Sequence, residues 1–365
     1  MMKKYFNKNV IRRGVVLLLA IILVLSSSSL KFLLGDEMSQ IYGSFIGKKS
    51  DYNGVIELWN IDSFESGNKP KNVFLQQCAS RFQNENKGVY VVVRNLTESE
   101  CLNLMHGGVF PDLISCSYGV SDRFKEFYSS YSNCSPEINE KFINAGRNQK
   151  GELLGLAWCV GYYFLISSKA KLEKVKGLPE EYKLNEVAFD CGYEYKIGKK
   201  NKTSVSLGFG TGDYLMPKNA LIAYNKARSI QTESLTQNEL KLKSQYSAYS
   251  SFLANDSTIL LGTQRDVWRM QAREESGKIS EAVYLPLCNW TDLVQYVFIL
   301  KTSDGNRRMS AEKFAFSFVS KTNQNEIESI GMFPVRAVDE CSYNGVMLDI
   351  IHENFSDLEL KPLFE

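Results

Sequence analysis

The sequence predicts an α/β protein built as two lobes, and three observations carry that prediction. A short strand rich in β-branched and aromatic residues, 55–59, breaks into a polar loop holding Asp62, Ser63, Ser66 and Gly67. A helix follows over 71–84, its Phe74, Cys78 and Phe82 recurring at steps of four. The order then repeats, with a strand at 89–93, a helix at 98–104 and a strand within 111–118. The resulting β-α-β-α-β pattern predicts a parallel sheet with right-handed crossovers. Finally, 365 residues with 44% apolar and 12% aromatic content suggest about two domains.

The chain opens on a basic leader. Lys3, Lys4, Lys8, Arg12, Arg13 and Lys31 precede or flank an apolar run at 14–25, four serines follow it, and no acid occurs before Asp36. This is the order of an export signal, so the body is expected to be extracytoplasmic, secreted or held at the cell surface. Extending the run through the serines brings it near the lower limit for a membrane span, so residues 1–35 read as an export signal or an N-terminal membrane anchor. No cysteine follows the run to take a lipid. The formal charge is +2, and without the six leader bases acids outnumber bases, which argues against a nucleic-acid partner.

Residues 34–53 read as a polar connector. In the first unit, Gly88 ends the helix at 71–84 and Thr97 opens the one at 98–104, which Gly107 and Gly108 break. Helices are expected at 123–131 and at 136–145, the second with Ser135 as cap and Pro136 at its first position. Residues 151–168 are nearly all apolar but carry glycines at 151, 155 and 161, which predicts two extended segments meeting near 158–161. The second lobe starts there. A short helix at 169–175, a strand at 203–209, helices at 213–228 and 239–253, and a strand at 258–263 follow. That strand runs into Gln264, Arg265, Asp266, Val267, Trp268 and Arg269. Strands at 283–287 and 293–300, a helix at 310–320, a loop at 331–336 and a short acidic tail close the chain. The first lobe thus takes 36–157 plus part of 258–335, and the second 158–257 plus part of 283–365.

Several functional classes are disfavoured. The eight cysteines show no C-x-x-C spacing, and Cys78 and Cys116 fall on apolar faces, where a free cysteine acts as a small hydrophobe. With only His106 and His352, no metal site is expected. The glycine run from Gly208 to Asp213 lacks the G-x-G-x-x-G pattern and any following Lys-Ser pair, so no nucleotide cofactor is expected, although free amides at a helix start there could donate to a ligand oxygen.

Taken together, V-I-E-L-W-N-I-D, F-Q-N-E-N-K-G-V-Y-V, P-D-L-I-S, W-C-V-G-Y-Y-F-L-I-S-S-K-A-K-L-E-K, T-I-L-L-G-T-Q-R-D and G-M-F-P-V, in this order and spacing, resemble the extracellular solute-binding proteins of ABC importers. The likeness is to family 1, the carbohydrate-binding, maltose-binding-protein-like group, and spans about residues 55–333. It implies a type II periplasmic-binding-protein-like fold, with two lobes, each a mixed, mostly parallel sheet flanked by helices, joined by a hinge. It further implies a monomer that closes on a mono- or oligosaccharide, does no chemistry on it, needs no cofactor and hands it to an ABC permease. The missing lipid-anchoring cysteine departs from the usual pattern of such proteins and puts the mode of attachment in doubt. The chain also ends about 30 residues past G-M-F-P-V.

Ten residues are ligand candidates, each with a plainer alternative. Trp59, at a strand's carboxyl end, stacks on a sugar ring or anchors the core. Asp62 and Ser63 take sugar hydroxyls or are solvated; for Glu65 the solvated reading is preferred. Ser117 and Tyr118 end a strand on the ligand side. Trp158 and Tyr162 face the cleft at the lobe crossover or pack the hinge. Arg265 forks hydrogen bonds to a ligand or pairs with Asp266. Trp290 and Asp292, with Asn289, form a polar aromatic loop. Two readings of another kind remain: a membrane-tethered protein presenting ligand to a sensor, and a hydrolase using two of the ligand-side acids Asp62, Glu65, Asp112 and Asp292. Against the hydrolase, no G-x-S-x-G or H-E-x-x-H motif occurs.

Overall fold

The computed structural model describes residues 49–132, 138–173, 194–196, 204–211, 214–227, 243–302, 304–336 and 357–364. The leader, Cys134, Cys191 and Cys341 lie outside them. β1 (Lys49–Asn60) leads through the polar loop into α1 (Lys71–Glu85), which buries Phe74, Leu75, Cys78 and Phe82. β2 (Lys87–Asn95) and α2 (Glu98–His106) follow, α2 opened by a capping box in which Thr97 and Glu100 satisfy each other's backbone N–H. β3 (Leu113–Ser117) completes the predicted βαβαβ unit.

The helix expected at 123–131 is instead two 3-10 turns, Ser121–Arg123 and Lys125–Phe127, and a short β4 (Tyr128–Ser129). Tertiary contacts override propensity here, because the Tyr128 hydroxyl donates to Ser121 O and the strand joins the sheet edge. α3 (Glu140–Ala145) starts later than expected, with the Asn139 side chain accepting from Lys141 N; Ser135 and Pro136 lie outside the described residues. β5 (Gly155–Val160) and β6 (Tyr163–Ser168) are the two extended segments. α4 (Lys169–Leu172), β7 (Glu194–Lys196) and β8 (Ser204–Thr211) follow.

Gly208 and Gly210 lie within β8, and the next helix, α5 (Pro217–Ala227), begins at Pro217. Gly208 to Thr211 are therefore strand, and Gly212 and Asp213 lie outside the described residues. After β9 (Lys243–Ser244) and α6 (Gln245–Leu253) comes β10 (Ile259–Thr263). The polar run behind it is a full helix, α7 (Gln264–Glu275), for which the sequence analysis gives no element. β11 (Ala282–Leu287), β12 (Trp290–Thr291) and β13 (Val294–Leu300) precede α8 (Gly305–Ser317), which starts five residues earlier than expected because the Asp304 carboxylate caps Asn306 N and Arg307 N. α9 (Lys321–Gln324), a 3-10 turn at Ile327–Ile330 and β14 (Glu359–Leu360) complete the described chain.

Two sheets result. The first has the order β2-β1-β3-β13, with β4 and β5 both on the far side of β13; β1 pairs in parallel with β2 and β3, and β13 is antiparallel to its neighbours. The second has the order β11-β6-β10-β8-β7, with β9 also on β8. β5 pairs in the first sheet as far as Val160, and β6 pairs in the second from Tyr163. The chain passes between the sheets again at 288–293, and Phe333 bridges back to Val160. These passages are tied together: Gly161 N donates to Leu293 O, and Thr291 Oγ1 donates to Gly161 O.

Candidate functional site

In sheets of this kind ligands bind beyond the strands' carboxyl ends, where the two lobes face each other. The wall from the first lobe is the loop at 62–70 after β1. Its shape is fixed by Gly331, held at φ 69° in the left-handed region, whose carbonyl accepts from Gly67 N while Ile330 O accepts from Asn68 N. The opposite wall is the first three turns of α7. Thr263 and Asp266 form a capping box at its start, and Arg265, Trp268, Arg269 and Ala272 then fall on the side facing the loop. Between them lies a cleft of about 660 Å³.

Charges bridge the cleft. Glu65, 58% exposed, sets one oxygen 2.8 Å from Arg265 Nε and 3.0 Å from Arg269 Nη2. Arg265 is only 1% exposed and also reaches Asp266 at 3.3 Å. Burial pushes the Asp266 carboxyl up to about 6, opposed by the guanidinium of Arg265. On the loop, Asp62 is paired with Lys71 at 3.2 Å, and the buried Lys71 ammonium also donates to Phe64 O. Gln264 ties the lobes at the hinge: its Oε1 accepts from Tyr162 N, and its Nε2 donates to Glu65 O. Gly67 packs so close to Trp268 that a Cβ there would fall 2.1 Å from the indole Cδ1.

Of the ten candidates, Asp62, Ser63 and Arg265 line this cleft. Ser117 sits behind Ser63, the two hydroxyls in contact, and is itself buried. The others are placed elsewhere. Trp59 is fully buried, its indole N–H donating to Glu57 and its face under Arg94, which anchors β1 in the core. Trp158 is also core: it stacks on Phe74 at 5.1 Å and donates to Ser115 Oγ. Tyr162 is buried edge-on to Phe333 as hinge packing. Tyr118 lies under the Lys361 ammonium. Asp292 is buried, accepting from the Tyr163 hydroxyl at 2.8 Å and from Met216 N at 2.7 Å, and burial raises its carboxyl to about 6. Trp290 lines a separate groove of about 710 Å³ with Lys141, Lys226 and Leu358.

Glu65, set aside as solvated, is central, and Lys69, Trp268 and Arg269 went unread. The signal was available: Thr263 and Asp266 in a capping pattern, followed by the helix formers Met270, Gln271, Ala272, Arg273 and Glu274. Once 264–275 is a helix, Arg265, Trp268, Arg269 and Ala272 share a face.

No protein-family model matches the chain, and no curated protein matches it in sequence. Solved structures do resemble it. The GacH receptor of Streptomyces glaucescens, solved unliganded and with acarbose, superposes with a TM-score of 0.54 at 12% identity, covering 86% of this chain and 89% of that one. The ABC substrate-binding protein Lmo0181 of Listeria monocytogenes, in complex with cycloalternan, gives 0.54 at 13% identity over 86% and 89%. Iron-bound HitA of Pseudomonas aeruginosa gives 0.50 at 14% identity over 79% and 89%. At such identities the likeness is one of architecture, and that architecture is the two-lobed type II periplasmic-binding-protein fold, with a mixed sheet and flanking helices in each lobe.

Proposed function

We propose that the protein is an extracytoplasmic solute-binding protein that captures a carbohydrate between its lobes and delivers it to an ABC-type permease. One observation carries this reading: the cleft lies between two sheets that, among the described residues, are joined by extended passages at 160–163, 288–293 and 333, so its walls can separate and close about a hinge. The neighbours solved with acarbose and cycloalternan support a saccharide. A metal cargo such as that of HitA is less well supported, because no group of three or more His, Cys, Asp and Glu among the described residues is placed to hold an ion. Asp62, Ser63, Arg265 and Arg269 would supply hydrogen bonds, and Trp268 an apolar ring face.

Hydrolysis is the weaker reading. A glycosidase needs two carboxyls free to flank one bond, whereas Asp62 and Glu65 are each engaged by a cation, and Asp112 and Asp292 are buried outside the cleft lining, bound to Arg307 and to the Tyr163 hydroxyl. The leader is assigned to export or anchoring, and among the described residues no helix is long and apolar enough to cross a membrane.

A thermal-shift screen of the protein against saccharides, amino acids and polyamines tests the function. A native-state ligand at a hundred times its Kd adds about 2.7 kcal/mol of stability. A shift with one saccharide class that is lost in Arg269→Gln supports the reading. Glycoside cleavage in any well overturns it in favour of the hydrolase, and a flat panel without cleavage turns it towards a protein-partner role.

A further inference from the structure

We propose, building on that binding reading, that the ligand carries a carboxylate, making it a uronate-type acidic saccharide whose acid group takes the place of Glu65 between Arg265 and Arg269. Two guanidinium groups one turn apart on α7 face the cleft, and a single exposed glutamate serves both. Arg265 is a charge withdrawn from water, which is costly unless its N–H groups are fully met. They are not: Glu65 Oε2 stands 2.8 Å from Arg265 Nε but off the N–H direction, so this buried donor has a counter-charge and no aligned acceptor. Its other partner, Asp266 Oδ1 at 3.3 Å, is a long contact.

A rigid carboxylate can bridge two guanidinium groups in line, and charge-assisted bonds of that kind are roughly twice as strong as neutral ones. Glu65 sits on a mobile stem in a mostly exposed position, so it can yield to such a group and return to water. The remaining lining does not oppose an anion. Asp62 is held by Lys71, and Lys69 adds an exposed cation to the loop wall. A neutral sugar would leave the Arg265 N–H as it is and would have no reason to dislodge Glu65. The cavity of about 660 Å³ suits a ligand of a few rings, with Trp268 beside the anion position for one of them.

Calorimetric titration of the full-length protein with trisaccharides of galacturonate, glucuronate and mannuronate, each against its methyl ester, and with neutral maltotriose, tests this. At least one acid should bind about tenfold tighter than its ester, the order expected for one buried charge pair. Arg269→Gln should erase that preference by weakening the acid at least tenfold more than its ester, and Glu65→Gln should tighten the acid several-fold by removing the internal competitor. Ester or maltotriose binding as tight as any acid, or weakening of every sugar by Glu65→Gln, overturns the inference and leaves the saccharide reading in place. No binding by any of these sugars overturns both.

Discussion

At the scale of single residues, burial decides the roles of side chains that the sequence left open. Asp292 and Asp266 are both raised to about 6 by desolvation. The folded protein therefore holds more protons than the unfolded chain between about pH 4 and 6, and the contribution of these groups to stability is present below that window and lost as pH rises through 6. Asp292→Asn should gain on the order of 2 kcal/mol relative to the parent between pH 4 and 7.5, measured by urea unfolding at both values. A difference independent of pH would refute the raised carboxyl. Trp158→Ala should cost about 3–5 kcal/mol by opening a cavity against Phe74 and Phe318, and native-state near-ultraviolet dichroism distinguishes this loss from loss of binding. The five described cysteines, Cys78, Cys101, Cys116, Cys159 and Cys288, are buried, and burial pushes the Cys101 thiol up to about 12. They should resist thiol reagents until the protein unfolds.

Among elements, two joints hold the site in place. The first is bidentate: Arg307 of α8 donates through Nε and Nη2 to the Asp112 carboxylate, which also accepts from Glu57 N in β1, so a helix, a strand and the approach to β3 meet at one buried acid. Asp112→Ala should cost about 1–3 kcal/mol, since it strands the Glu57 amide while the Arg307 guanidinium, 38% exposed, can turn to water, and denaturant titration reads it directly. The reach of Asp112 to α8 is a contact 195 residues away in sequence. The second joint is Gly67 against Trp268. Gly67→Ala would push a methyl into the indole and the Gly331 carbonyl, forcing the 62–70 loop away from α7. Ligand affinity should then fall at least tenfold while global stability changes by less than about 1 kcal/mol; equal losses in both would mark the contact as mere packing.

For the whole molecule, the lobes meet at several points in addition to the hinge. Glu65 reaches Arg265 and Arg269, and on another side Tyr214, at φ 68°, lies over Gly119 with its hydroxyl 3.4 Å from Glu98. A residue other than glycine in the left-handed region is strained by about 1 kcal/mol or more, so Tyr214 is held there by these contacts. The double variant Glu65→Gln, Tyr214→Ala should shift the population towards separated lobes, seen as a larger radius of gyration in small-angle X-ray scattering. An unchanged radius would mean that the hinge packing of Tyr162, Phe333 and Gln264 alone sets the lobe angle.

Local patterns carried much of the architecture. The steps of four in α1, the cap at Thr97, the glycines of 151–168 and the apolar runs of β3, β10 and β13 act over a few residues, so the sequence determined their identity and order, and through them a two-lobed α/β fold. What only the tertiary structure decided was which polar and aromatic groups face the cleft. Trp59 and Trp158 share composition with a sugar-stacking site yet are core, because the pairing of β1 with β2 and the seating of α1 on β5 cover them. Arg265 and Glu65 lie 200 residues apart and become partners only when β10 delivers α7 against the loop after β1. Long-range pairing of strands sets that meeting, and no periodicity within a single segment records it.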